Sequence, residues 1–318
     1  MNRNRVLLTG SSGTVGTALA ERLLSKGYEV SGADIVPNRW SSAVDDRTTL
    51  VNLCDPEDVS TLPTDVDMLL HLGAHARVHQ LVKEPRNAME NLEMTFNVLE
   101  HARRAEIPNF VFASSREVYG DTEQVVYAET DTNADRSESP YTASKVGGEA
   151  LTQSYNQCYG LSTSIVRFSN VYGRYDGSNR VIPLFIALSE QGEPLTVYGS
   201  DKVLDFTYLD DCVAGMTKVV DRFPTVSGST LNISSGKGTS LIELARAVNE
   251  RTPNDSSITV EPTREGEIRR YVGDISRARS ILSYEPQYSF DDGLDETIEW
   301  YLDNPSVLEE IRENARSP

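Results

Sequence analysis

The chain has 318 residues, of which 38% are hydrophobic, enough to build a core in one large or two modest domains. Its 48 acidic residues outnumber 30 basic ones, and the net charge of −18 disfavours nucleic acid as a partner. Only 6 of the basic residues are lysines. Many carboxylates with few lysines favour a halophilic protein that stays soluble at high salt; the alternative is an ordinary acidic cytoplasmic protein.

Three cysteines, Cys54, Cys158 and Cys212, stand far apart and form no C-x-x-C motif. We therefore expect neither a metal site nor a disulfide framework. The first ten residues, MNRNRVLLTG, hold no long apolar stretch, so no signal peptide is expected. No window approaches about 18 uninterrupted apolar residues, so no membrane partner is expected and a cytoplasmic location is the default.

Residues 1–168 alternate short apolar runs with amphipathic stretches, which predicts strands and helices in turn. The predicted strands are RVLLTG, YEVSGAD, VDMLLHLGA, FVFASS and STSIVRFSN, and the predicted helices lie in TVGTALAERLLSKG, AMENLEMTFNVLEHARRAE and YTASKVGGEALTQSYNQCYG. This alternation predicts an α/β fold of Rossmann type, with a doubly wound parallel sheet and ligands at the carboxyl ends of the strands.

After Asn170 the sequence becomes rich in loops and mixed short elements. We interpret residues 169–318 as a smaller mixed α/β lobe that binds the substrate, with a segment near 203–237 returning to the first domain. No internal repeat or low-complexity segment is present.

The first predicted strand runs into the glycine-rich turn TGSSGTVG. Gly10 suits a tight turn, Gly13 lets the backbone approach a pyrophosphate at the helix start, and Gly16 allows close packing of helix on strand. Thr14 and Val15 open the same helix and join the predicted cofactor site. The alternative is a plain strand–turn–helix with structural glycines.

Asp34 ends the second predicted strand, 24 residues after Gly10. A carboxylate there binds ribose hydroxyls and repels a 2′-phosphate, which favours NAD over NADP. Arg39 is the counter-argument, because an arginine just past this strand can accept a phosphate.

The motif SPYTASK holds Tyr141 and Lys145 four residues apart, on one face at the start of a predicted helix. A lysine ammonium beside a phenol is expected to lower the pKa of the tyrosine from about 10 towards neutrality. Such a tyrosine is a general base for a sugar or alcohol hydroxyl, and Ser115 is placed to hydrogen-bond the same oxygen. A surface tyrosine and lysine at chance spacing is the alternative.

Over nearly its whole length the chain resembles the extended short-chain dehydrogenases/reductases, in particular the nucleotide-sugar epimerase and dehydratase group. The resemblance is carried by TGSSGTVG, LLHLGAHARV, ENLEMTFNVLEHAR, SSREVYG, SPYTASK, RFSNVYG, VIPLF, LDFTYLDD and REGEIRRYVGDISRA. It implies NAD as cofactor, a nucleotide sugar as substrate, and transient oxidation at C4 with Tyr141 as base.

The resemblance also assigns roles to individual residues. Next to the cofactor it implies Asn52 and Leu53 (near the adenine; the family more often has Asp at 52), Leu72, Gly73, Ala74 and Asn91. For the substrate it implies Asn170 and Arg264 at the diphosphate, Val197 and Tyr198 near a uracil, and Tyr271 near the sugar 2-position.

Leu204 departs from the family, which usually has an arginine there, and Arg180 is a candidate for the missing charge. The alternative for Arg180 is a solvated loop residue. The resemblance further implies a homodimer that packs segments 87–105 and 141–158 of each subunit into a four-helix bundle.

The residues after Ser115 decide between reactions within this group. In 4-epimerases small residues are common at these positions. The 4,6-dehydratases instead have a motif like Thr/Ser-Asp-Glu there, with the Glu as base and the Asp as acid. This chain has Glu117 but Arg116, and an arginine does not deliver protons near neutrality.

We therefore favour 4-epimerisation of a UDP-hexose, either glucose/galactose or glucuronate/galacturonate. A dehydratase or a UDP-glucuronate decarboxylase that uses Glu117 is the second hypothesis. A non-catalytic NAD-binding regulator is the third, and the intact Ser115, Tyr141 and Lys145 argue against it. For Arg116, contact with a uronate carboxylate and a structural pair with Glu117 both remain open.

Overall fold

The structure, a computed structural model, describes residues 5–316. The strands in this range are β1 (Arg5–Thr9), β2 (Glu29–Asp34), β3 (Thr48–Leu50), β4 (Met68–His71), β5 (Asn109–Ser115), β6 (Val126–Tyr127), β7 (Ser162–Phe168), β8 (Asn170–Tyr172), β9 (Leu195–Tyr198), β10 (Val203–Tyr208), β11 (Thr230–Ile233), β12 (Gly238–Ser240), β13 (Ile258–Glu261) and β14 (Arg270–Gly273). The helices are α1 (Thr14–Ser25), α2 (Ser42–Asp45), α3 (Pro56–Val59), α4 (Val78–Lys83), α5 (Arg86–Arg104), α6 (Pro140–Tyr159), α7 (Val181–Ser189), α8 (Leu209–Asp221), α9 (Phe223–Val226), α10 (Leu241–Arg251), α11 (Ser276–Leu282), α12 (Phe290–Asp303) and α13 (Pro305–Arg316). Two short 3₁₀ turns lie at Arg116–Tyr119 and Ala134–Arg136.

The larger sheet has seven strands in the order β11-β7-β5-β4-β1-β2-β3, and all its pairs are parallel. From β1 the chain winds outward through β2 and β3, and then from β4 in the opposite direction. The crevice where this direction reverses lies outside the carboxyl ends of β1 and β4, where doubly wound sheets bind ligands.

Helices cover both faces of this sheet. Side chains of α1, α8 and α11 pack with Val6 and Leu8 on one face. Those of α3, α5 and α6 pack with Leu7 on the other face, because successive residues of β1 point to opposite sides. The predicted α/β fold with a doubly wound sheet is confirmed.

The second lobe is built on smaller sheets. One runs β12-β10-β14-β6, with β8 paired to β10, and the other pairs β13 with β9. A separate hydrophobic core joins these strands to α7, α10, α12 and α13. Of the segment predicted to return to the first domain, β11 and α8 do pack with the large sheet, whereas β10 belongs to the second lobe. The exact domain boundary stays a prediction.

Helix α6 begins and ends where its sequence dictates. Ser139 caps the start by accepting a hydrogen bond from the backbone N–H of Thr142, and Pro140 occupies the first turn. Gly160 ends the helix with a left-handed conformation (φ 71°) that favours glycine. These signals fix Tyr141 and Lys145 in the first two turns of the helix.

No helix in the part of the chain that the structure describes is long and apolar enough to cross a membrane. Within residues 5–316, no group of three or more His, Cys, Asp or Glu side chains is arranged to hold a metal ion.

Candidate active site

The glycine-rich turn after β1 brings the backbone of β1, β4 and α1 into close contact. Gly10 has φ 74°, and a Cβ atom there would lie 2.7 Å from the backbone nitrogen of Gly73. A Cβ on Gly16 would lie 1.9 Å from the Gly10 carbonyl oxygen, so only glycine allows α1 to start this close to β1. Gly13 is the N-cap of α1 and has no capping side chain, which leaves the first N–H groups of the helix to an anion.

The two residues that open α1 have packing roles as well. The Thr14 hydroxyl donates to the backbone oxygen of Tyr175 (3.0 Å), and Val15 packs on the core of the large sheet. Their backbone N–H groups lie at the anion-binding end of the helix.

Asp34 lies at the end of β2, beside this turn. One carboxylate oxygen accepts from the backbone N–H of Ser12 (2.9 Å) and the other from that of Ile35 (2.8 Å). Arg39 is held elsewhere: it pairs with Glu310 at 2.5 Å, and its guanidinium lies 4.1 Å from the centroid of the Trp40 ring. A carboxylate at the ribose position with the arginine bound away fits NAD better than NADP.

The residues implied near the adenine and nicotinamide ends surround the same crevice. Asn52 is exposed after β3, and its side chain accepts from the Cys54 N–H (3.1 Å), whereas Leu53 is buried beneath Gly73. Leu72, Gly73 and Ala74 follow β4 and are partly buried.

Asn91 on α5 holds this loop in place. Its amide accepts from the backbone N–H of His75 (2.8 Å) and donates to the His75 oxygen (3.0 Å) and the Ser144 hydroxyl (3.2 Å). The loop after β4 is thereby tied to both α5 and α6.

The structure brings the predicted catalytic residues together. Ser115 ends β5, and its hydroxyl hydrogen-bonds the phenol of Tyr141. Tyr141 and Lys145 are each only 6% exposed. The Lys145 ammonium donates to the backbone oxygen of Ala113 (2.8 Å).

The expected fall in the pKa of Tyr141 is wrong for the chain without cofactor. Burial raises the pKa of this phenol to about 12, and the hydrogen bond with Ser115 works in the opposite direction. Burial also lowers the pKa of Lys145 to about 8, against the influence of Glu149. The physical reason is desolvation, which disfavours the charged form of both groups.

Arg116 and Glu117 form a buried pair beside the predicted catalytic residues. The Nη2 atom of Arg116 lies 2.8 Å from Oε1 of Glu117, and their side chains are 11% and 4% exposed. Arg116 also donates from Nε to the side-chain oxygen of Asn170 (3.2 Å). Two atoms of the pair, Nη1 of Arg116 and Oε2 of Glu117, are buried without a hydrogen-bond partner.

Burial raises the pKa of the Glu117 carboxyl, and the Arg116 charge opposes this. The pair is therefore part of the interior of the site rather than a solvated ion pair on its rim.

The residues expected at the nucleotide differ in accessibility. Arg264 is exposed and stacks on Tyr198, 3.8 Å from the ring centroid. Val197 has no exposed surface, because alternate residues of β9 point into the lobe and Tyr198 points outward. The side chain of Val197 therefore does not line an open site.

The two other residues predicted to contact the substrate differ in exposure. Tyr271 is fully buried and stacks with Tyr119 (5.7 Å) and Tyr127 (5.8 Å), so in this conformation it lies beneath Arg116 and not on an open surface. Arg180 precedes α7 with its side chain 41% exposed, 3.6 Å from Asp176.

Sequence reasoning missed several buried charges around the site. Glu149 lies one turn after Lys145 and pairs with Arg167, and Lys202 pairs with Glu267 close to Glu117. For Glu149 a signal existed: it extends the Tyr141–Lys145 spacing by another four residues on the same helix face.

The comparisons with known proteins agree with this geometry. The chain belongs to the NAD dependent epimerase/dehydratase family, whose model matches residues 6–234. A Bacillus subtilis (strain 168) protein described as an uncharacterized UDP-glucose epimerase, YtcB, is 31% identical over 310 residues, with 92% of this chain and 96% of that protein covered.

Two solved structures illustrate the two branches of the family. The UDP-glucose 4-epimerase of Thermotoga maritima, solved with UDP-glucose, is 26% identical with a TM-score of 0.86, covering 95% of this chain and 99% of that one. A DesIV double mutant, a dTDP-glucose 4,6-dehydratase of Streptomyces venezuelae solved with NAD, is 27% identical with a TM-score of 0.89, covering 96% and 99%.

The predicted family is thus confirmed, and NAD is the cofactor of that family. Similarity extends equally to epimerases and dehydratases, so the choice between them has to come from the residues of the site.

Proposed function

We propose that this chain catalyses NAD-dependent 4-epimerisation of a UDP-hexose, through a transient 4-keto sugar. The hexose pair is glucose and galactose or glucuronate and galacturonate. The observation that carries the proposal is the arginine at position 116, where elimination needs an acid. Its guanidinium pairs with Glu117 and donates a hydrogen bond to Asn170.

Epimerisation at C4 needs one acid–base group. Tyr141 accepts the proton of the 4-hydroxyl during oxidation and returns it to the same oxygen during reduction, while the keto sugar turns over between the two steps. The Ser115 hydroxyl binds this oxygen, and the Lys145 charge favours the phenolate. When bound, NAD supplies the acceptor and later the donor of the C4 hydride, and its oxidised form carries a positive charge.

The cofactor-free pKa of Tyr141, about 12, is compatible with this role. A phenol that stays protonated in the empty site and ionises only beside added positive charge acts as a base only when the site is loaded.

The charges of the cleft support a nucleotide diphosphate. In a chain of net charge −18, Arg264 has no carboxylate within ion-pair distance among the described residues and stacks on Tyr198. Arg180 and Arg116 both act on the charge of Tyr141, so positive groups converge on the candidate site. Arginine binds phosphates by a two-pronged, charge-assisted contact.

A second candidate function is supported by one feature of Glu117. Its Oε2 atom is buried without a partner, and burial raises the pKa of its carboxyl, as suits a base that removes a carbon-bound proton. A 4,6-dehydratase or a UDP-glucuronate decarboxylase would use it in this way. Elimination would still lack an acid at position 116.

A homodimer is also proposed. On the outer face of α5, Met89 and Phe96 are exposed by 57% and 47%, and Tyr159 at the end of α6 by 58%. Burying these side chains against a second copy would form the four-helix bundle expected from the family resemblance.

The experiment is to incubate the purified protein, in high salt, separately with UDP-glucose, UDP-galactose and UDP-glucuronate, and to identify the products by NMR. A mixture of 4-epimers without net NADH supports the proposal. A 4-keto-6-deoxy sugar, or a pentose with release of carbon dioxide, would assign the chemistry to Glu117 instead.

A further inference from the structure

Three side chains of α6 contact the end of β5 in succession. Tyr141, Lys145 and Glu149 follow one another at intervals of four residues, so they share a face of the helix. The first two form the catalytic pair of the proposed function. The third, Glu149, has no role in the chemistry described above.

The contacts of these side chains reach three consecutive strand residues. Lys145 donates to the backbone oxygen of Ala113 (2.8 Å), and the Ser114 hydroxyl donates to Glu149 Oε1 (2.5 Å). The next residue, Ser115, bonds the phenol of the catalytic tyrosine. Glu149 thereby fixes the residue between the lysine's acceptor and the catalytic serine.

Glu149 itself is held by Arg167 of β7. The guanidinium donates from Nε to Oε1 (2.8 Å) and from Nη2 to Oε2 (2.7 Å), and both residues are buried. Its remaining nitrogen donates to the Tyr119 hydroxyl (3.1 Å) and the Glu129 backbone oxygen (2.8 Å). Each guanidinium nitrogen of Arg167 is thereby hydrogen-bonded, and the two-pronged contact holds the Glu149 carboxylate in a fixed orientation.

Few charged groups surround Lys145 among the described residues, so the Glu149 carboxylate has a large share in setting its pKa. Three titratable groups surround Lys145: Glu149 and Tyr141 on the same helix, and His71 on β4. From β5, the backbone oxygen of Ala113 accepts a hydrogen bond from the ammonium, and the Phe112 ring centroid lies 5.0 Å from it. Burial brings the pKa of Lys145 down to about 8, and Glu149 opposes this fall. Removing this carboxylate should therefore lower the pKa of Lys145 further.

We infer that Glu149, clamped by Arg167, is a positioning residue: it keeps Lys145 in its ammonium form and fixes the strand end that carries Ser115. The catalytic consequence rests on the proposed function. The effect on the lysine charge does not, because it is a property of the chain without substrate.

The test measures that charge directly. With only six lysines in the chain, each ε-carbon signal of lysine labelled with ¹³C can be followed through a pH titration of the cofactor-free protein. Glu149→Gln alone leaves the Arg167 charge buried and unpaired. The main variant is therefore Glu149→Gln/Arg167→Gln, in which two amide side chains face each other and neither position carries a charge. Glu149→Asp restores the charge, and Glu100→Gln removes a carboxylate from α5 away from the site.

The inference predicts that the titration midpoint of Lys145 falls by roughly one pH unit in the double variant. The midpoint should stay at the wild-type value in Glu100→Gln and recover in Glu149→Asp. In the loaded enzyme, the alkaline limb of the kcat profile should move down by the same amount, with kcat about tenfold lower and KM for the sugar nucleotide within about twofold.

A folded double variant in which Lys145 titrates as in the wild type would overturn the inference and leave the pair purely structural. If the wild type epimerises no sugar nucleotide, the proposed function fails, and the lysine titration still decides the role of Glu149.

Discussion

The ammonium nitrogen of Lys145 lies 5.9 Å from the centroid of the Tyr141 ring and hydrogen-bonds to the backbone of Ala113. The two side chains, which we propose as the catalytic pair, are therefore neighbours on a helix without a direct hydrogen bond between them among the described contacts. Each is buried, and burial moves the pKa of each towards its neutral form.

Burying the Lys145 ammonium lowers the free energy of unfolding, and Lys145→Met should restore the lost stability. The pKa is about 8 in the folded chain against an ordinary 10.5, so unfolding takes up a proton between these values. The cost is complete below pH 8 and disappears as the pH rises towards 10.5. At pH 7 we expect the variant to be more stable by on the order of 2 kcal/mol, after loss of the hydrogen bond to Ala113, and to be inactive.

Denaturant unfolding of both proteins at pH 7 and pH 10 measures this difference, which should shrink at the higher pH. A variant less stable than the wild type at pH 7 would mean that the lysine contributes more through its contacts than its burial costs.

Glu117→Gln separates the two candidate reactions. If Tyr141 carries the proton transfers, the variant should keep epimerisation within about tenfold of the wild type, because the amide preserves the shape of the side chain. If Glu117 is a base, the loss should be about 10²- to 10⁴-fold. The exposed neighbouring acid in Glu138→Gln is the matched control.

Because Glu117→Gln leaves Arg116 without its counter-ion, its melting temperature has to be compared with that of Arg116→Gln/Glu117→Gln, which removes both charges. If folded Glu117→Gln converts the sugar nucleotide a thousandfold more slowly than the wild type, Glu117 acts as a base, which favours the dehydratase or decarboxylase hypothesis.

Alanine at two glycines of the cofactor turn should have different effects. In Gly16→Ala the new methyl group meets the Gly10 carbonyl at 1.9 Å, so both folding stability and NAD binding should be lost. In Gly13→Ala the nearest such contact is an ordinary 3.4 Å, so the chain should fold normally while the methyl group obstructs the pyrophosphate.

Melting without cofactor and calorimetric titration with NAD distinguish these outcomes. Unchanged NAD affinity in Gly13→Ala would show that the pyrophosphate does not approach this turn.

Salt should stabilise the chain strongly if it is halophilic. At a net charge of −18 the folded state repels itself, and molar salt reduces the screening length to about 3 Å. We expect the melting temperature to rise steeply between low salt and 1 M NaCl at pH 7. The rise should shrink near pH 4.7, the calculated isoelectric point, where the net charge vanishes. Equal stability with and without salt at pH 7 would discard the halophilic hypothesis.

Local patterns predicted the parts of the site that one segment builds. The spacing of Gly10, Gly13 and Gly16 and the four-residue interval from Tyr141 to Lys145 are set within a single turn or helix, so the sequence reveals them. The strand ends follow from apolar runs for the same reason.

Contacts between distant segments could not be predicted in this way. Arg116 meets Asn170, Arg39 meets Glu310, and Arg167 reaches Glu149 only after the sheet has formed. Burial was equally hidden: the pKa of Tyr141 depends on the side chains packed around it, and Leu204 and Tyr271 proved to belong to the core of the second lobe. Spacing to a neighbour carries no information on desolvation.

The most direct test of the account follows the hydrogen at C4. UDP-galactose with deuterium at C4 is incubated with the enzyme and NAD in ordinary water, and UDP-glucose labelled in the same way is run in parallel, with Tyr141→Phe as control. The account predicts that each sugar yields the 4-epimer with deuterium retained at C4, without accumulated NADH, and that the control is slower by about 10² or more. Loss of the label to NADH or water, or a product changed at C5 or C6 with the C4 carbonyl retained, would contradict it.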